Sequence, residues 1–248
     1  MKVAIITPYH VRPLEIIKRC HDSLLNQTFT DFVHILVADG HPNPEIDSWQ
    51  KTIHVKLPYE CRDSGDTPRA VGTALAANLE VDAFMYLDDD NWFEPMHLEM
   101  MTNYLKKSKS DIVTCNRTLY LKSTMEKIGV CKESNGRIFC DTNCYLFSNR
   151  VFPLMSIWGF RVKDEKLRIC NGGDRIVWDA VKNSNYSRSH LNISTVGYVT
   201  DYAYHYKMFR RQIPDNAVVL VKHPVTNLQA KISYAEYKEM FEYDYFAS

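Results

Sequence analysis

The stretch Ala83-Phe84-Met85-Tyr86-Leu87-Asp88-Asp89-Asp90 sets five apolar side chains directly against three carboxylates. An unbroken apolar run of that length suits a strand covered on both faces, as strands of parallel sheets are. Two earlier runs read the same way. Residues 3–7 (Val3-Ala4-Ile5-Ile6-Thr7) are continuous apolar chain closed by Thr7-Pro8, and residues 32–38 stop at Asp39-Gly40-His41-Pro42. A shorter strand is expected at 53–57, ahead of a polar loop over 60–66. Between the runs the period changes to that of a helix. Leu14, Ile17, Leu24 and Leu25 mark one over 13–27, with Pro13 in its first turn. Thr67-Pro68 opens a second that passes through Ala70, Ala74, Ala77 and Leu79, and 95–107 forms a third before a strand at 111–116. Strand and helix alternate over residues 1–116. The expectation is an α/β domain with a mostly parallel central sheet and helices on both faces.

After Asn116 the rhythm shortens. Residues 117–122, 137–141 and 143–148 read as brief strands in antiparallel or mixed pairing. Gly172-Gly173-Asp174 opens a helix through Ile176, Val177, Ala180 and Val181, a strand is expected at 193–199, and 202–211 is aromatic and basic. The expected organisation is one domain over 1–211, divided into halves 1–116 and 117–211, followed by an extension over 212–248. A helix over 233–246 in that extension would stripe Tyr234, Tyr237, Phe241 and Tyr245 along one face. The stripe reads as packing against the body, because Glu236, Glu239 and Glu242 beside it disfavour an anionic lipid surface.

Composition narrows the class of function. The 248 residues carry 30 basic and 30 acidic side chains, so no overall field draws the chain to nucleic acid or membrane. Nine glycines are too few for a low-complexity architecture. The seven cysteines form no C-x-x-C pair and are odd in number. Cys140 and Cys144, on one face of an expected strand, would stand about 13 Å apart, too far for a disulfide. Reduced thiols, no membrane span and an N-terminal apolar run too short for a signal peptide give the expectation of a cytoplasmic protein.

Ligands of open parallel sheets bind beyond the carboxyl ends of the strands. Those ends deliver Thr7-Pro8-Tyr9-His10, Asp39-Gly40 and Asp88-Asp89-Asp90 to one edge. In extended chain Asp88 and Asp90 point to the same side, and two carboxylates so close are relieved by a hard divalent cation, Mg²⁺ or Mn²⁺. The competing reading is a solvated turn capping the helix that follows. No G-x-x-x-x-G-K-[ST], strand-linked G-x-G-x-x-G, H-E-x-x-H or G-x-S-x-G is present. Phosphate would therefore be held through a metal and basic side chains.

In order and spacing these residues resemble the nucleotide-sugar glycosyltransferases of GT-A fold, most of all family 2, over roughly residues 3–205. The matching segments are Thr7-Pro8-Tyr9-His10 with Arg12, Asp39, the loop Gly65-Asp66-Thr67-Pro68-Arg69-Ala70, and Asp88-Asp89-Asp90 as the D-x-D motif. The resemblance implies a nucleotide-binding set of Pro8, Tyr9, Arg12, Asp39, Arg69, Asp88 and Asp89. It implies Asp88, Asp90 and His205 as ligands of Mn²⁺ or Mg²⁺, with Arg210 and Arg211 within reach of phosphate. It also implies Asp174, heading its helix, as the base that deprotonates an acceptor hydroxyl, with Asp179 in reserve. Gly173 replaces the first acid of the family's usual pair. Trp158 is either an acceptor platform or a core residue. The implied function is metal-dependent transfer of a sugar from a UDP-sugar to a glycan or other hydroxyl acceptor, with inversion. A retaining enzyme on the same fold, a sugar-phosphate nucleotidyltransferase and a non-catalytic binding module are the alternatives.

Overall fold

A computed structural model describes residues 1–160, 173–222, 229–241 and 246. The three long apolar runs are strands: β1 (Val3–Tyr9), β2 (Phe32–Ala38) and, after β3 (Thr52–Lys56), β4 (Ala83–Tyr86). β1 pairs in parallel with β2 and β4, and β2 in parallel with β3. Helices α1 (Leu14–Leu25), α2 (Asp66–Ala77) and α3 (His97–Ser108) connect and cover them. α1 buries Ile17, Cys20, His21 and Leu24, the three- and four-residue spacing that makes one face.

The sheet continues through β5 (Trp92–Phe93), β6 (Ile112–Leu121), β7 (Lys127–Val130), β8 (Tyr145–Ser148) and β9 (Arg188–Thr200). Its order is β3-β2-β1-β4-β8-β6-β9-β5, with β7 attached to β6. β8 runs antiparallel to both β4 and β6, while β6 and β9 are parallel. Two expectations change here. The strands anticipated at 111–116 and 117–122 are one, β6, and its polar interior residues Thr114, Asn116, Arg117 and Thr118 are all buried. No strand forms at 137–141. Instead the Asn135 side chain accepts from the amides of Arg137 and Ile138, and the Asp141 side chain caps a 3₁₀ turn over Thr142–Cys144. Cys140 and Cys144 therefore flank a turn, with Cys140 Sγ 3.8 Å from the Cys144 carbonyl oxygen. The six cysteines described are free thiols, and Cys170 lies outside the described residues.

α4 (Gly173–Asn183) packs Val177, Trp178 and Val181 into the main core. Gly172, the other half of the expected helix start, lies outside the described residues. α5 (Ala203–Met208) follows β9. The extension then forms a hairpin not anticipated from the sequence, β10 (Val218–Lys222) with β11 (Gln229–Ser233), and a helix α6 (Tyr234–Met240). Ser233 and Glu236 close a capping box at the start of α6. The helix is shorter than 233–246: Phe241 is already in extended backbone, and Tyr245 lies outside the described residues. Tyr234 joins Leu119, Leu121, Ile128, Ala203, Tyr206, Ala217 and Val219 in a second cluster, so the extension packs on the outer end of β6. Among the described residues no helix is long and apolar enough to cross a membrane.

Candidate active site

β4 ends at Tyr86, and the aspartates beyond it fold into a turn in which the Asn91 amide donates to the Asp88 carbonyl (3.1 Å). The chain is not extended here, so the alternation expected for Asp88 and Asp90 does not apply. Each carboxylate goes its own way. Asp88 accepts from Arg69 Nη2 (2.5 Å) and from Asn143 Nδ2 (2.8 Å), while its amide donates to Asn143 Oδ1 (2.6 Å). Asp89 is buried and takes a bidentate pair from Arg12 Nε and Nη2 (3.0 and 2.9 Å). Asp90 stands 3.5 Å from Arg12 Nη2 and is the least compensated of the three. Burial, then the charges of Asp89 and Asp88, lift its carboxyl to about 6. Two arginines from different elements, Arg12 just ahead of α1 and Arg69 in the first turn of α2, thus converge on one aspartate turn.

The other strand ends are arranged less simply. Pro8 lies on the α2 side of β1, in contact range of Gly65 at the head of α2. Tyr9 points to the opposite face. It is buried among Ile17, Leu36, Ala38 and Ile46, and its hydroxyl bonds His54 Nε2 (2.7 Å) and accepts from the Asn43 amide (3.0 Å). Tyr9 is thus turned to the connection from β2 to β3, away from Pro8. Asp39 is buried at the end of β2, where its oxygens accept from the amides of Cys61 (2.7 Å) and Arg62 (3.3 Å) and hold the loop before α2.

Asp174 lies in the first turn of α4 and accepts from the Arg175 amide (2.7 Å). Its carboxyl is raised, by burial first and by the nearby Asp141 carboxylate second. The head of α4 is pressed against α2: a Cβ on Gly173 would come within 2.6 Å of an Asp66 oxygen and 2.7 Å of the Trp158 ring. A side chain at position 173 would have to displace the Asp66 carboxylate and the Trp158 ring. Trp158 is buried under the Arg69 guanidinium (5.2 Å) and against Tyr86, a core position rather than an open platform. Asp179 faces solvent on α4 and pairs with Lys182 (2.8 Å).

A buried polar chain joins these parts, and the sequence did not reveal it. Asn143 Nδ2 donates to Asp141 Oδ1 (2.7 Å) as well as to Asp88. Asp141 Oδ2 accepts from Arg117 Nη1 (2.5 Å), and Arg117 lies over the Tyr198 ring (3.9 Å). Arg117 Nη2 approaches His205 Nε2 at 3.5 Å, and His205 Nδ1 bonds Thr200 Oγ1 (2.6 Å). His205 is therefore separated from Asp88 by Arg117, Asp141 and Asn143. Burial, with Arg117 beside it, lowers its imidazole to about 3. The structure does not gather His205 with Asp88 and Asp90. Arg211 pairs with Glu126 (2.8 Å) on the surface, and Arg210 is exposed beside it. The one available signal for the missed residues was Asp141-Thr142-Asn143, an Asx-type capping sequence between two apolar runs.

Comparison with known proteins bears on the family and the fold. The family description "Glycosyl transferase family 2" matches residues 4–215. The curated protein "Uncharacterized glycosyltransferase EpsJ" of Bacillus subtilis (strain 168) is 30% identical over 118 residues, covering 46% of this chain and 33% of that protein. Among solved structures, S. aureus TarS 1–349 in complex with UDP shares the fold at TM-score 0.61 and 15% identity, over 84% of this chain and 63% of that one. The complex of TarS 1–349 with UDP-GlcNAc also gives TM-score 0.61 at 15% identity, over 81% and 59%. The chain thus spans about a third of the curated relative and about three fifths of these solved chains. With the family match running from the second residue of β1 past α5, and so over the aspartate turn and the head of α4, the chain belongs to glycosyl transferase family 2.

Proposed function

We propose that this chain transfers a sugar from a nucleoside-diphosphate donor, a UDP-sugar, to a hydroxyl of a glycan or other acceptor, with inversion at the anomeric carbon. The observation that carries the reading is the placement of Asp174. It heads α4 against the start of α2, near enough to Asp141 for that carboxylate to raise its own, and Asp141 is joined through Asn143 to Asp88 of the aspartate turn. Family membership and the UDP complexes of TarS support a nucleotide-sugar donor.

The residues fit a divalent cation. Asp88 and Asp90 offer oxygen donors only, which suits Mg²⁺ or Mn²⁺, and among the described residues the Asp90 carboxylate has no closer cationic partner than Arg12 at 3.5 Å, Arg19 reaching its backbone carbonyl instead. When bound, such a cation neutralises charge developing on the departing diphosphate. His205 is assigned to holding Arg117 rather than to the metal. Pro8 and Asp39 border the base position at the ends of β1 and β2. Arg12 and Arg69 supply positive charge beside the diphosphate and Asp89 orients Arg12.

Asp174 accepts the acceptor's hydroxyl proton as that oxygen bonds to the anomeric carbon. The bond from this carbon to the diphosphate oxygen breaks, and its electron pair leaves with UDP. A carboxyl held above its usual range takes a proton more readily than an ordinary surface aspartate. Asp174→Asn keeps size and hydrogen bonding but removes the base. Donor affinity is expected to stay within about twofold of wild type while turnover falls about 10²- to 10⁴-fold. Near-normal turnover would remove Asp174 from this role.

A further inference from the structure

The same edge of the sheet carries a second set of ligating side chains that the reaction above does not use. His10 directly follows β1, His41 follows Gly40 at the end of β2, and Glu60 lies in the connection from β3 to α2. One ligating atom from each lies within 4.8 Å of the other two. His41 Nε2 contacts Glu60 Oε1, His10 Nε2 stands 3.5 Å from the same oxygen, and the two imidazoles meet edge to face with centroids 5.1 Å apart. Donors each about 2.1 Å from a tetrahedral zinc are about 3.4 Å from one another. The His10–Glu60 separation already has that value, and small rotations of the exposed histidines supply the rest.

Backbone contacts bring the three carriers together. The Asp39 carboxylate accepts from the amides of Cys61 and Arg62 and so pins the chain bearing Glu60 to the end of β2. Gly40 has φ +78°, and a Cβ there would lie 2.5 Å from the Glu60 amide nitrogen, so only glycine lets the two segments close. The Asp39 amide donates to the Tyr9 carbonyl (2.8 Å), which sets the end of β1, and with it His10, against the same point. Arg62 Nε pairs with Glu60 Oε2, which leaves Oε1 facing the imidazoles. The backbones that carry the three ligands are thus held together before any cation arrives.

We propose that His10, His41 and Glu60 form a tridentate site for Zn²⁺, separate from the aspartate turn. Two imidazoles and one carboxylate with a fourth position open to water are a donor set of zinc, whereas the all-oxygen aspartates select harder cations. The site rests on its own geometry and does not depend on the glycosyl-transfer reading.

The test uses the full chain stripped with chelator and titrated calorimetrically with Zn²⁺ alone. Absorption spectra of the Co²⁺-substituted protein are recorded in parallel. One equivalent is expected to bind, and Co²⁺ should show visible d–d bands without the thiolate charge transfer that a cysteine ligand would add. A His10→Asn/His41→Asn double variant and, separately, Glu60→Gln should each lose that equivalent. Asp90→Ala should keep it. Circular dichroism of the variants confirms that the fold is retained. Zinc binding unchanged in the double variant and in Glu60→Gln, a thiolate band in the cobalt spectrum, or no binding at micromolar Zn²⁺ would each overturn the proposal.

Discussion

Two arginine–carboxylate pairs show how differently the two halves of the molecule use charge. Arg12 and Asp89 meet at the edge of the parallel half, and the arginine side chain is 33% exposed. Arg117 and Asp141 meet inside the mixed half, where each is 6% exposed. At the edge Arg12 lies beside Asp90 as well as Asp89, and under the proposed function an arriving cation or diphosphate takes over either partner's charge. In the interior nothing exchanges. Arg117 is clamped among Asp141, the Tyr198 ring and His205, and Asp141 passes that fixed geometry on to Asn143 and so to Asp88. In the proposed function the edge handles ligands, and the interior keeps the edge in shape.

The comparison is broken most directly by removing the arginines in turn. Arg117→Met leaves the Asp141 carboxylate buried and uncompensated, which is expected to cost about 3–5 kcal/mol in urea unfolding. A loss below about 1 kcal/mol would mean that water or movement reaches the pair. Arg12→Ala leaves buried Asp89 without its arginine, but water reaches the pair from the exposed side, and a loss of about 1–3 kcal/mol is expected, below the Arg117 effect. Equal losses would erase the distinction between edge and interior.

A third effect concerns an interior group that is neutral rather than paired. His97 is fully buried against Phe93, its Nδ1 bonded to Thr195 Oγ1 (2.7 Å), and burial lowers its imidazole to about 3. Below about pH 6.5 the unfolded chain takes up a proton that the folded chain refuses, so stability falls as pH falls. For one such group the slope is about 1.4 kcal/mol per pH unit. His21, lowered to about 4 by burial, and His205 add to it in the same window. Unfolding free energies between pH 7 and 5 should therefore fall less steeply in His97→Gln than in wild type. An unchanged slope would show that His97 is reached by protons in the folded state.

The parallel half was legible because strands buried on both faces have no choice but to be apolar. The runs expected at 3–7, 32–38 and 83–87 appear as Val3–Tyr9, Phe32–Ala38 and Ala83–Tyr86. The mixed half hid its structure for the opposite reason. β6 buries Thr114, Asn116, Arg117 and Thr118, which read as a break in the strand because their partners come from distant segments. Arg117 meets Asp141 across 24 positions and Asp88 meets Asn143 across 55, separations that no local period displays. The hairpin of β10 and β11 was overlooked although 217–221 is wholly apolar. Site residues follow the same division. Asp88–Asp90 stand out at a strand end, the arginines opposite them were expected only through the family resemblance, and Tyr9 shows that a residue at a strand end still has two faces to choose from.

The most direct test of the central claim is calorimetric titration of the wild-type chain and Asp90→Ala with UDP, each with and without Mn²⁺. The account predicts that wild type binds UDP tightly only when Mn²⁺ is present, and that Asp90→Ala, folded as judged by circular dichroism, loses this metal-dependent binding. UDP affinity indifferent to Mn²⁺ in wild type, or metal-dependent affinity unchanged in Asp90→Ala, would contradict the aspartate turn as the metal–diphosphate centre.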